Sequence, residues 1–130
     1  MLKNDANAAP SAANNLRKNY AAGQRSFADA SLASVDLSGV NLKGADLSYA
    51  DLSQANLTQA NLRGADLSYA TLRDATLSGA DLRGAMLIGT DFRNANLDDA
   101  LLQAADYDPR ETHFPKAFDI VAAHMRAVNS

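Results

Sequence analysis

Asn41-Leu42-Lys43-Gly44-Ala45-Asp46-Leu47-Ser48-Tyr49-Ala50 returns twenty residues later as Asn61-Leu62-Arg63-Gly64-Ala65-Asp66-Leu67-Ser68-Tyr69-Ala70. A third, eroded copy opens at Asp81-Leu82-Arg83-Gly84-Ala85. Inside each copy the pattern repeats every five residues, a small residue standing two places before each Leu. From Leu32 to Leu102 and Tyr107 this fivefold spacing holds without a break. It matches neither the 3.6-residue period of a helix face nor the twofold alternation of a strand. A chain that turns a corner every five residues fits it, and twenty residues are then four sides.

The spacing therefore predicts a square coil whose turns stack through parallel β-bridges. Seventeen five-residue units from Arg25 to Pro109 supply about four coils. At about 4.8 Å per coil the prism is roughly 20 Å tall. The Leu row points inward and defines the core: Leu42, Leu47, Leu52, Leu57, Leu62, Leu67, Leu72, Leu77 and Leu82. The small residues also point inward, where close packing leaves room only for Ala. Val35, Val40 and Thr90 stand in that Ala row, and the Thr90 hydroxyl needs a main-chain partner there. Gln54, Gln59 and Tyr49 occupy corner positions that type II turns reserve for glycine, so most corners are expected to be type I.

Around this body the chain divides into a disordered tail over residues 1–13, a helical cap over 14–24, the prism over 25–109, and a closing segment over 110–130. Asn14 offers an N-cap, Leu16 and Tyr20 an apolar i,i+4 pair, and Gly23 a stop. In the closing segment Phe118, Val121, Ala122, Met125 and Val128 share one helical face, predicting a helix over Lys116–Val128. Met86, Ile88 and Leu101 are apolar where the pattern calls for polar residues, and that helix is expected to lie on them.

The A(D/N)LXX motif of residues 25–109 resembles the pentapeptide-repeat family, in particular its short single-domain members common in cyanobacteria. The resemblance implies an all-β solenoid, a right-handed quadrilateral parallel β-helix, to which the residues at the two ends add the short capping helices expected above. The entry Leu16-Arg17-Lys18-Asn19-Tyr20-Ala21-Ala22-Gly23-Gln24 is similar to theirs, as is the exit Tyr107-Asp108 with Thr112-His113-Phe114-Pro115 and Phe118-Asp119. Those members commonly carry Gly and Pro where this chain has Ala117 and Ile120, a departure that favours a longer terminal helix.

The composition excludes several classes of function. There is no Cys and no Trp, so neither disulfides nor thiolate metal sites are available. Met1–Asn7 contains no apolar signal core and no stretch is long enough to cross a membrane, so the cytoplasm is expected and no membrane contact. The net charge of -3 lacks the basic face that direct nucleic-acid binding requires. His113 and His124 are the sole histidines, and neither has a second ligand at metal spacing. No phosphate loop is present. No catalytic, cofactor or metal residues are assigned, no cofactor is expected, and the protein is not expected to be an enzyme.

Counting by twenties sorts the outward residues into ladders. Lys43, Arg63 and Arg83 stack on one side, Arg73 and Arg93 on the opposite one, and Asp51, Asp74, Asp81 and Asp91 stand near enough to screen them. Tyr49 and Tyr69 stack on a third side. The five basic residues Lys43, Arg63, Arg83, Arg73 and Arg93 and the two tyrosines are the candidate partner surface. The sequence reading is a non-catalytic structural or protein-interaction module, a monomer with an unidentified protein partner. The alternative, which the resemblance brings with it, is a DNA mimic that binds a type II topoisomerase such as gyrase, for which Asp36, Asp46, Asp51 and Asp66 would supply charge. An assembly tag within a larger complex is a third possibility.

Overall fold

The computed structural model describes residues 8–129. From Ser26 onward each coil is joined to the next by parallel bridges between residues twenty apart, except Asp91 and His113, which are twenty-two apart, and these define four sides. Side one stacks Ser26, Asp46, Asp66, Met86 and Asp106, and ends in a short parallel pair, β1 (Asp106–Tyr107) with β2 (Arg126–Ala127). Side two stacks Ser31, Asp51, Thr71, Asp91 and His113. Side three stacks Asp36, Asn56, Thr76 and Asn96, and side four Asn41, Asn61, Asp81 and Leu101. A rung is one bridged residue per side, since the chain leaves each side almost as soon as it has entered it.

The inside is filled by two rows. Leu37 through Leu87 and then Phe92 are fully buried, and the Ala row from Ala45 to Ala85 is buried beside them. Thr90 is the polar member of that row, and its hydroxyl donates to the Leu67 carbonyl at 2.7 Å. Val35 and Val40, buried in the same row of the first coil, show that it accepts β-branched residues near the end of the prism.

The corners differ from the expectation. Every corner from Asp29 to Ala104 has a positive φ at its third residue, +61° at Tyr49, +59° at Gln54 and Gln59, and +70° at Gly44. These are type II geometry, not type I. The reason lies in the stacking axis. Tyr49 N–H donates to Ser68 O in the next coil (2.9 Å), and Gln54 N–H to Arg73 O (2.9 Å). A type I turn would flip the central peptide and turn that donor away. The left-handed conformation costs a non-glycine residue about 1–2 kcal/mol, and the added axial bond, worth about 1 kcal/mol, offsets much of it.

The outward Asp or Asn of each unit has a local task. Its side-chain oxygen accepts the N–H two residues on, as in Asp46 with Ser48 (2.9 Å), Asn61 with Arg63 (3.1 Å) and Asn96 with Asp98 (2.9 Å). This Asx turn closes the approach to each corner.

At the first coil, α1 (Ala8–Ala21) covers the open end. It starts six residues before Asn14, so the expected 1–13 tail is helical from Ala8; residues 1–7 lie outside the described part. The Ala-rich stretch favours helix, and Pro10 falls in the first turn, where no intrahelical N–H is lost. Leu16 and Ala13 are buried against the core. The Tyr20 hydroxyl donates to Lys43 O (2.7 Å) and the Arg17 guanidinium to Ser38 O (3.2 Å), satisfying carbonyls of the first coil. Gln24 N–H closes back on Asn19 O (3.0 Å) and Gly23 takes a φ of +105°, a Schellman-type stop.

At the other end the expected helix over Lys116–Val128 is absent. The chain makes turns through Ala123 and His124 and then returns to the ladder as β2. Arg126 N–H donates to Ala105 O and Val128 N–H to Tyr107 O, both at 2.8 Å. The open edge of side one thus takes up the main-chain groups a helix would have used, and β-branched Ile120 and Val121 weaken the helical alternative. Phe92, Phe114 and Phe118 form a column of stacked rings, with centroids 5.7 and 5.0 Å apart, that extends the core past the last Leu. The segment therefore sits on the end of the prism and not on its flank. Met86 and Leu101 stay 41% and 39% exposed.

Candidate functional site

The corner between sides one and two carries the most exposed aromatic surface of the prism. Tyr49 and Tyr69 stand at the same corner one coil apart, and the type II geometry aims both side chains outward. Their rings stack with centroids 5.3 Å apart and planes 17° from parallel. Tyr49 is 60% exposed and Tyr69 43%. The next residue in the column is Gly89, where a Cβ would strike the Tyr69 ring. Glycine at that level lets the ring lie flat on the corner.

The C-terminal segment adds a group that the sequence reading missed. The Tyr69 hydroxyl donates to a Glu111 carboxylate oxygen at 3.3 Å. The negative charge of Glu111 pushes the Tyr69 phenol above its usual range, and the hydrogen bond adds to this. Glu111 lies in the 108–112 segment, where two extra residues break the fivefold register, so no spacing could place it. Tyr69, Gly89, Asp91, Arg93, Arg110, Glu111 and His113 line an open recess of about 350 Å³ beside the ring pair.

The charged ladders are largely neutralised within the prism. Arg83 forks onto Asp81 through Nε (2.9 Å) and Nη2 (2.7 Å). Arg93 does the same to Asp91, and Arg73 reaches that carboxylate from the coil before, at 2.8 Å. The hydrogen bonds from Arg93, helped by the charge of Arg73, hold the Asp91 carboxyl down at about 2 against partial burial. Asp81 is lowered in the same way, first by its bonds from Arg83 and more weakly by the charge of Arg63. Lys43 gives its carbonyl to the Tyr20 hydroxyl. The structure thus brings Arg73 and Arg93 together on one Asp, while Lys43, Arg63 and Arg83 form a separate column on side four.

Asp36, Asp46 and Asp51 carry lowered carboxyl pKa values because Ser38, Ser48 and Ser53 donate to them from main chain and hydroxyl. Among the described residues no three His, Cys, Asp or Glu stand close enough to share a metal ion. None of the described helices is long and apolar enough to cross a membrane.

Comparison with known proteins gives the lineage of this geometry. The family model described as pentapeptide repeats matches residues 26–64 and 65–103 in 8 copies. No curated protein matches the chain. Among solved structures, a pentapeptide repeat protein from Nostoc Pcc 7120 superposes with a TM-score of 0.86 at 52% identity, over 88% of this chain and 93% of the other. One from the cyanobacterium Cyanothece 51142 gives 0.63 at 36% identity, over 65% of this chain and 56% of its own. One from the Arabidopsis thaliana thylakoid lumen gives 0.57 at 39% identity, over 58% and 55%.

Proposed function

This chain belongs to the pentapeptide-repeat family, and we propose that it is a non-catalytic structural or protein-interaction module that meets its partner through the Tyr49–Tyr69 corner. In this reading residues 25–109 are the rigid body, wound right-handed as parallel crossovers generally are, with the helix from Ala8 and the segment 110–129 at its ends. It is a monomer acting in the cytoplasm. The observation that carries the reading is the stacked, exposed pair itself. Tyr presents a large rigid surface with little rotamer freedom to lose, and the stack has spent part of that cost in advance. Lys43, Arg63, Arg83, Arg73 and Arg93 flank it as the polar rim.

The gyrase-mimic alternative draws less support. Asp81 is matched by Arg83, and Asp91 by both Arg73 and Arg93. That breaks the continuous negative field a DNA mimic requires. Affinity capture from native extract, run in parallel with the wild-type chain and a Tyr49→Ser, Tyr69→Ser variant, tests the proposal. A partner retained by the first and lost by the second is expected; equal retention would remove the tyrosine corner from the interface.

A further inference from the structure

The last coil takes a short cut. Asp91 pairs with His113, twenty-two positions on, while Asp106 pairs with Arg126, twenty on. Two residues are gained before side two and given up again while the chain crosses sides three and four. The regular ladder is lost on those two sides.

In every complete coil the N–H of the Leu-row residue and of the corner residue donate to the next coil, as Leu77 does to Asn96 O and Gly79 to Asp98 O. The rung residue donates backward, as Asn96 does to Ala75 O. In the last coil the corner N–H groups of Gly89 and Asn94 make no such bond, and from there the N–H groups of Leu97, Asp99 and Leu102 and the carbonyls of Ala95 and Ala100 also have no such partner among the described residues. The ladder resumes at Ala104, whose N–H donates to His124 O. Beside the open stretch lies a recess of about 450 Å³, with Ala95, Leu97 and Asp98 on one wall and Lys116, Phe118 and Asp119 on the other. That volume lies within the ~300–1,000 Å³ of ordinary binding clefts.

We propose that this open edge binds an extended peptide segment of a partner protein as one added half-coil, by β-augmentation. This site is at the end of the prism, separate from the tyrosine corner. The occupant follows from the groups left open. Donors at Leu97, Asp99 and Leu102 alternate with acceptors at Ala95 and Ala100 in the register of a pentapeptide rung, which only a main chain with the same corner spacing can satisfy throughout. Asp98 and Asp119 outnumber Lys116 in the recess and favour a peptide of net positive charge.

A synthetic peptide with the sequence of residues 55–64 has both properties. In the prism Asn56 N–H and Asn61 N–H point back to Val35 O and Val40 O, while Leu57 N–H and Leu62 N–H point forward. On the open edge the same two Asn amides would meet Ala95 O and Ala100 O. The full chain is titrated with this peptide, and amide exchange is followed residue by residue by nuclear magnetic resonance. Expected are a Kd below about 1 mM and exchange at Leu97, Asp99 and Leu102 slowed about tenfold at saturation. N-methylation at the two Asn positions of the peptide should abolish binding, and N-methylation at the two Leu positions should spare it. No change at these amides overturns the proposal, as does equal binding of both methylated peptides, which marks side-chain docking. Concentration-dependent protection of the same amides without peptide would overturn it in favour of a second copy of this chain.

Discussion

Arg73 sets its Nε 2.8 Å from the carboxylate of Asp91, which stands in the next coil and is already held by Arg93. One acidic group thus collects two arginines, and a ladder of like charges becomes a bridge between coils. Asp91 is folded with a carboxyl pKa of about 2, against about 3.9 in an unfolded chain. Because the folded value is the lower one, this stabilisation is complete above the unfolded pKa and drains away as pH falls through the folded one. Asp36, Asp46, Asp51, Asp81 and Asp108 shift in the same direction. Tm should be flat from neutral pH down to about 5 and fall steeply between about 4 and 2. An Arg93→Gln variant should show a higher Asp91 carboxyl pKa by carbon-detected titration.

At the corners, Gln54→Gly should raise stability and Gly44→Ala lower it, each by about 1 kcal/mol, because the fold demands a positive φ at both. A Cβ added at Gly44 would meet nothing within 4 Å, so its cost is conformational alone. Urea denaturation measures both. Type I corners would reverse the sign for Gln54.

Gly89→Ala should cost more than Gly44→Ala, since its Cβ displaces the Tyr69 ring as well. The tyrosine near-ultraviolet dichroism should weaken in this variant and persist in Gly44→Ala.

Removing the Glu111 charge should return the Tyr69 phenol toward its usual value near 10, because that charge is the main cause of its rise. Spectrophotometric titration of Glu111→Gln against wild type, with Tyr69→Phe to identify the transition, measures the shift. An unchanged Tyr69 titration would mean that the cap does not hold Glu111 on the ring in solution.

Leu67→Ala should destabilise by about 2–5 kcal/mol, as for a fully enclosed Leu. Thr90→Val should cost about 1 kcal/mol or less, because the Leu67 carbonyl keeps its bond from Ala70 N–H and Val already fits this row at Val35 and Val40. Calorimetric unfolding of the two variants separates packing from hydrogen bonding.

The stacking of coils is legible in the residues because it depends on spacing alone: Asn41 and Asn61 recur in sequence and are bridged in space. The corner type is not, because propensity takes no account of the axial bond from Tyr49 N–H to Ser68 O, a tertiary interaction that overrides it. The end of the chain departs from its sequence pattern for a related cause. Its apolar residues do repeat at helical spacing, yet Arg126 and Val128 find a ready edge in Ala105 O and Tyr107 O. Of the candidate surface, the vertical alignment of Tyr49 and Tyr69 follows from the twenty-residue count. The convergence of Arg73 and Arg93 on Asp91 and the reach of Glu111 to Tyr69 depend on side-chain length and on an insertion, neither of which a period records.

In the Asx turns, Asn41, Asn56, Asn61 and Asn96 accept the i+2 amide at 3.1, 3.0, 3.1 and 2.9 Å, and Asp46 and Asp51 accept it at 2.9 and 3.0 Å. The bond keeps its length with either acceptor, although the carboxylate holds the amide more strongly. Each exchange of Asp for Asn therefore moves the electrostatic potential of one side by a whole charge and leaves the backbone where it was. A lineage with this prism can retune its surface field rung by rung without altering the coil, each carboxylate adding a pH-dependent increment of stability along with its charge.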